Sequence, residues 1–215
     1  SSKYNINDEN RFNITYQNEE DILEKDLYPI LAKYLKIEFD IFSKRIDENK
    51  SSNNKGKRGN MWLHPDVVGM QVLDKDWLPI VKDCVRGSGC NKLKLFSFEV
   101  KKIITPENLR ESFFQSVSNS SWANQGFLVS AEIKGEKSFN ELKMLSALHG
   151  IGFILLNIKE PIESQILIQS KEKEQVDWET INRIAEENSD FRDYVKQIKV
   201  YYESGIINDK SWDEI

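Results

Sequence analysis

Cysteine and histidine are scarce in this chain, with two of each in 215 residues. Cys84, Cys90, His64 and His149 offer no four-ligand zinc set. A single disulfide would staple so large a domain only weakly, so both cysteines read as reduced thiols of an intracellular protein. Long apolar runs are also missing. The longest, around residues 151–156, falls far short of the roughly 20 residues that a spanning helix needs. With no apolar leader either, the expected location is the cytoplasm, with no membrane partner. Gly87-Ser88-Gly89 lacks the Gly-Lys-Ser/Thr that would make it a phosphate loop, so it reads as a turn. No Gly-x-Ser-x-Gly elbow surrounds the hydroxyls of "SNSSW", which excludes a serine hydrolase of that kind. An excess of positive charge is lacking as well. The net charge of -5 argues against a uniformly basic protein that coats nucleic acid.

What is present is enough to build a core: 39% hydrophobic and 11% aromatic residues. The length suits one domain with additions or two small ones. Residues 1–17 are polar and Asn-rich, a tail or the end of a linker. A helix is expected up to about Glu38, with Leu23, Leu27, Ile30, Leu31, Tyr34 and Leu35 at helical spacing. Pro29 is tolerable there if Asp26 is the cap, which puts Glu24 at or just before the helix start. A flexible loop, "SSNNKGKRGN", leads into a first strand at about 61–73. A short amphipathic helix follows near 77–85, then a second strand at 93–103. Thr105-Pro106-Glu107 is expected to open a helix striped by Leu109, Phe113 and Val117. A third strand covers 126–133, and Ser138 with Glu141 suggests a capping box for a helix ending at His149-Gly150. "GFILLN" and "SQILIQS" complete the strands. Helices lying between strands imply crossovers, hence an α/β fold with a central mixed β-sheet flanked by helices. Residues 18–170 form this domain. Residues 171–215 form a C-terminal helical extension packed on or beside it.

The chemistry concentrates at two strand ends. Side chains alternate along a strand, so Ser97, Glu99 and Lys101 share one face while Phe98 and Val100 share the other. Asp66 sits partway along the preceding strand, after Pro65, which favours an edge or bulge. If the two strands pair antiparallel with a bend, Asp66 and Glu99 approach each other. Two readings stay open for these charges: ordinary strand ends reaching solvent, or convergence on a metal ion. Two carboxylates that repel are relieved by a divalent cation. Asp66, Glu99 and the carbonyl of Val100 would be an adequate protein contribution for Mg²⁺. Lys101 could then orient a water or neutralise a phosphodiester. The triplet alone is weak, because Glu132-Ile-Lys134 and Glu141-Leu-Lys143 repeat it; Glu132 with Lys134 is the fallback site. Two basic clusters, Lys50, Lys55, Lys57 and Arg58 and then Lys92, Lys94, Lys101 and Lys102, are either solvated faces or phosphate-facing. His64 reads as a partly buried strand residue, and Trp122, Trp178 and Trp212 as core rather than as base-stacking platforms.

A Pro-Asp on one strand and a Glu-x-Lys on the next, in helix–strand–strand–helix–strand order, resembles the PD-(D/E)xK restriction-endonuclease-like nucleases over roughly residues 18–170. More narrowly, "LYPILAKYL", "MWLHPDVVG", "FSFEVKK" and "NLRESFFQSVSNSSWANQGFLV" look like the Mrr-like, HrgA-type restriction-associated proteins. The resemblance implies a restriction-endonuclease-like core. It makes Asp66 and Glu99 metal ligands with Val100, Lys101 the catalytic lysine, and Mg²⁺ or Mn²⁺ the cofactor. Glu24 matches an extra acid many of these nucleases carry at the first helix. Gln115 matches a glutamine on the crossover helix and shares a stripe with Asn119 and Trp122. Lys55, Lys57, Arg58, Lys102 and Asn119 are the expected DNA contacts. The long insertion between the motif strands departs from the pattern. In this group a winged-helix DNA-reading module often precedes the nuclease-like domain. Because Ser1-Ser2-Lys3 lacks a Met, we expect a fragment of a longer chain or a cloning remnant. The function so implied is a Mg²⁺-dependent endonuclease acting on double-stranded DNA in restriction or genome defence, working as a homodimer where both strands are cut. The alternative class is a catalytically silent nuclease fold that binds DNA or a protein partner, which the acidic charge and helical tail favour. A purely structural dimerisation domain is a third.

Overall fold

The computed structural model describes residues 13–15, 22–52, 62–88 and 92–213; Lys55, Lys57, Arg58 and Cys90 lie outside the described residues. The chain order is β1 (Asn13–Thr15), α1 (Leu27–Phe39), β2 (Ile41–Arg45), β3 (Val67–Val72), α2 (Pro79–Ser88), β4 (Leu93–Ile104), α3 (Leu109–Asn119) and β5 (Gln125–Lys134). It continues with α4 (Glu136–His149), β6 (Gly152–Leu155), β7 (Gln165–Ile168), α5 (Trp178–Glu187) and α6 (Ser189–Ser204). Six strands form one mixed sheet in the order β2-β3-β4-β5-β6-β7, and β1 pairs with the far end of β5. β2, β3 and β4 run antiparallel to their neighbours, β4, β5 and β6 run parallel through the crossover helices α3 and α4, and β7 returns antiparallel. The architecture is α/β, and among the described residues no helix is long and apolar enough to cross a membrane.

Side-chain alternation divides the core between the two faces of the sheet. Phe96, Phe98 and Val100 point to the face where Leu27, Leu31, Tyr34 and Leu35 of α1 pack. Leu93 and Leu95 point to the other, under Ile181 and Ile184 of α5 and Phe191, Tyr194, Ile198 and Tyr201 of α6. Leu109 and Phe113 of α3 and Leu142 of α4 cover Leu128, Phe153 and Leu155 further along. Gly69 in β3 has a packing reason. A Cβ there would lie 2.8 Å from Ile41 Cγ2 and 3.2 Å from Phe96 Cβ, and the Tyr194 hydroxyl donates to its carbonyl at 2.8 Å.

Several expectations need correction. β2 was not foreseen, because it starts one residue after α1 with neither Gly nor Pro between them. Asp40, at φ 50°, makes the left-handed C-cap that Gly usually supplies. The first motif strand begins only at Val67, so Asp66 lies just before it rather than partway along. Asp26 occupies the cap position of α1 but accepts from the Leu23 N–H instead of capping the helix. α3 starts later than expected, behind Asn108, whose Oδ1 accepts from the Thr105 N–H at 2.8 Å. No Ser138–Glu141 box forms: α4 begins at Glu136 behind Gly135, and Ser138 Oγ is buried without a hydrogen-bond partner among the described residues. Trp122 and Trp212 are core residues, whereas Trp178 is half exposed at the start of α5.

The C-terminal helices are part of the core. Each of their large buried side chains contributes roughly 1.5–3 kcal/mol of burial, against a total stability of about 5–15 kcal/mol for a typical domain. Truncation after residue 176 would uncover Phe42, Val68, Met70, Leu93, Leu95 and Trp122. Such a chain is expected to show no cooperative thermal transition by circular dichroism. A truncated chain that melts within a few degrees of the full chain would make the extension a separable addition.

Candidate active site

The candidate site forms where β3 leaves β4. Their register runs from Val72↔Leu93 to Val67↔Phe98 and stops, because Pro65 has no N–H to donate to a ladder. Beyond that point the β4 edge needs other partners for its backbone. Asp66 Oδ2 accepts from the Val100 N–H at 2.7 Å, and the Glu24 carboxylate accepts from the Lys102 N–H. Two acids therefore take the places of a neighbouring strand at positions two residues apart. The N–H and C=O of one strand residue point to the same edge, so the Val100 carbonyl also faces Asp66.

Glu99 and Lys101 rise from the α3 side of β4. Glu99 is 3% exposed. Its Oε1 accepts from Lys101 Nζ at 2.7 Å and its Oε2 from Asn119 Nδ2 at 2.9 Å. Lys101 Nζ lies 4.0 Å from Asp66 Oδ2, so one ammonium links both acids. Asn119 ends α3 and is fixed through its carbonyl, which accepts from Ser97 Oγ at 3.1 Å and Trp122 Nε1 at 2.8 Å. Gln115 lies one turn earlier on the same buried face of α3.

Charge is out of balance here. Burial, and then the neighbouring Asp66, push the Glu99 carboxyl up to about 8 despite Lys101 and Asn119. Burial also raises Asp66 and Glu24, with Lys101 opposing in both cases. Burial works against the Lys101 ammonium, but Glu99, Asp66 and Glu24 outweigh it and hold its proton beyond the ordinary lysine range. Glu24, Asp66 and Glu99 thus share the Lys101 ammonium, and Glu48 adds further negative charge near Asp66 and Glu24.

The structure thus brings together Glu24, Asp66, Glu99, Val100, Lys101 and Asn119, with Gln115 close behind. Asn119 was expected to face DNA; instead it is buried and holds Glu99 in place. The Lys102 side chain lies on the opposite face of β4 from Lys101. Lys92 is buried and donates to the Lys82 carbonyl, and Lys94 pairs with Glu172. His64 is buried, with Nε2 3.1 Å from Ser51 Oγ. The fallback pair is looser: Glu132 and Lys134 stand 3.9 Å apart, where β5 meets Thr15 of β1. Tyr28 of α1 was missed. Its hydroxyl is raised by burial and then by Asp66 and Glu24, and Arg45 lies over its ring. A helix-start aromatic reads as core in a sequence, and Arg45 sits on the strand that was not foreseen.

The chain matches no known family model and no curated protein. A solved structure from Silicibacter pomeroyi, a protein of unknown function, overlaps 86% of this chain and 94% of its own at 12% identity, with a TM-score of 0.42. That likeness is too loose to carry an argument about function.

A carboxyl with a folded pKa near 8 binds a proton that the unfolded chain, near 4.5, has already lost. Stability contributed by Glu99 therefore falls as pH rises from about 4.5 to 8. Without divalent cations, Glu99→Gln is expected to melt above the unsubstituted chain at pH 8, by about 3 °C or more. The gap should narrow towards pH 5. Equal melting temperatures at pH 8 would mean that Glu99 carries no uncompensated charge.

Proposed function

We propose that this chain is a divalent-metal-dependent DNA endonuclease domain with a PD-(D/E)xK, restriction-endonuclease-like core, acting in restriction or genome defence. One observation carries the reading: Asp66, Glu99 and Lys101, the residues to which the sequence resemblance assigns metal binding and catalysis, meet where β3 leaves β4. The mixed sheet with crossover helices is compatible with that core.

Mg²⁺ or Mn²⁺ suits the residues present. The donors are hard oxygens: the carboxylates of Asp66 and Glu99 and the Val100 carbonyl, with Glu24 nearby. Among the described residues no group of three acids, histidines or cysteines is gathered closely enough to hold a metal ion by itself, so waters and substrate oxygens would complete the coordination of any ion bound here. The excess negative charge supplies the attraction. When bound, such an ion lowers the pKa of a water and offsets charge building on a phosphodiester. The chain's own residues then have distinct tasks. Asp66 is anchored on the Val100 N–H and Glu99 on Asn119, so both carboxylates are oriented before substrate arrives. Lys101 keeps its proton among three acids and acts as a cation and hydrogen-bond donor towards a phosphate oxygen or the attacking water. Gln115 shares the Asn119 face of α3 and supports the Glu99 side of the site. Cutting both strands with one site per chain calls for a homodimer. A winged-helix module in a longer chain would supply target reading.

A second reading has an observation of its own. Both Glu99 oxygens already accept hydrogen bonds within the chain, as suits a nuclease fold retained for binding DNA or a protein. Supercoiled plasmid, modified and unmodified, incubated with Mg²⁺ or Mn²⁺ separates the two. The unsubstituted chain is expected to nick or linearise it. Asp66→Ala and Lys101→Ala should lose at least about 100-fold in rate while melting within a few degrees of the unsubstituted chain. Cleavage that survives in both variants would overturn the assignment, and no cleavage by any of them would favour the binding module.

A further inference from the structure

We propose that Arg45 is a DNA-phosphate contact at the entrance to this site, its guanidinium held over the ring of Tyr28. The inference rests on the nuclease reading above and extends it to how the duplex is held. Arg45 ends β2 opposite Val67, the residue after Asp66. The next N–H, of Ile46, donates to the Asp66 carbonyl at 2.9 Å, so β2 delivers Arg45 to the flank of the acid cluster. The guanidinium carbon stands 4.9 Å from the centre of the Tyr28 ring. Tyr28 follows Glu24 by one turn, and its hydroxyl is raised by burial and then by Asp66, Glu24 and, more weakly, Glu99, so the ring that holds the cation also borders the acids. This stacking restricts the arginine without using its N–H groups.

The surroundings fit a phosphate ligand. Arg45 is exposed, and among the described residues its guanidinium has no hydrogen-bond or ion-pair partner. Asp213 Oδ2 accepts from the Arg45 backbone N–H, not from the side chain, at 2.6 Å. Asp213 and Asp47 are near enough to feel the charge. A polyanion approaching three carboxylates and one lysine meets net repulsion, and a cation at the rim offsets it where the backbone must pass. Lys92 and Lys94 cannot serve, being occupied by the Lys82 carbonyl and Glu172. The planar guanidinium fork matches two phosphate oxygens, which a lysine at the same position would not.

The test is the anisotropy of a fluorescein-labelled duplex with Ca²⁺ across a KCl series, on the full chain. Arg45→Ala is expected to weaken binding about 5-fold or more and to flatten the slope of log affinity against log salt by about one. Arg45→Lys should keep the slope and lose part of the affinity. Tyr28→Phe, which keeps the ring, should bind like the unsubstituted chain, whereas Tyr28→Leu should lose part of the affinity. Unchanged affinity and slope in Arg45→Ala would overturn the inference, and plasmid cleavage by the unsubstituted chain would show that the nuclease reading survives it. No duplex binding by the unsubstituted chain would remove both.

Discussion

The β4 edge loses its neighbour after Phe98, where β3 turns away at Val67. Two backbone N–H groups, of Val100 and Lys102, would then lack sheet partners, and buried donors without acceptors cost roughly 1–3 kcal/mol each. The Asp66 and Glu24 carboxylates accept from them. A structural need of the sheet is thereby met by groups that also gather negative charge. Glu99, on the adjoining face, adds a third acid, and the Lys101 ammonium interacts with all three. The arrangement satisfies the backbone and leaves charge unbalanced.

Holding three acids together requires rigid support from both sides of the sheet. On one side, α1 sets Glu24 and Tyr28 through the buried Leu27, Leu31 and Leu35. On the other, α3 sets Asn119 against Glu99. The support behind Asn119 reaches the far end of the chain. Its carbonyl accepts from Trp122 Nε1, and the Trp122 ring lies 5.2 Å from Phe191 and 6.0 Å from Tyr194. The C-terminal helices therefore bear on the site through two contacts. That is a reason for a long helical extension on an α/β core that does not invoke a partner for it.

Much of this was legible in the sequence because it follows from period and position. The alternation along residues 93–103 put Glu99 and Lys101 on one face, whereas the neighbouring strand was read as starting near residue 61, with Asp66 inside it, when it starts at Val67. The helix at Leu27, with Pro29 inside its first turn, was readable because the missing proline N–H has no partner there anyway. β2 was hidden by its brevity and by Asp40, which turns the chain without a glycine. With β2 went Arg45, and so the rim of the site. Asn119 was misjudged because an amide on a helix stripe looks solvent-facing until the element covering that stripe is known. The place of the extension in the core depends on contacts between residues more than a hundred positions apart, such as Tyr194 with Gly69, and no local pattern records those.

The central claim is that three acids around one lysine form a cation site. Calorimetric titration of Mn²⁺ into the unsubstituted chain and Asp66→Asn, at pH 7 in buffers of different ionisation enthalpy, tests it most directly. The account predicts binding of about one ion per chain with protons released, since Glu99 holds a proton that a cation displaces. It predicts that Asp66→Asn binds at least about tenfold more weakly. No binding by the unsubstituted chain, or equal binding by both, would contradict it.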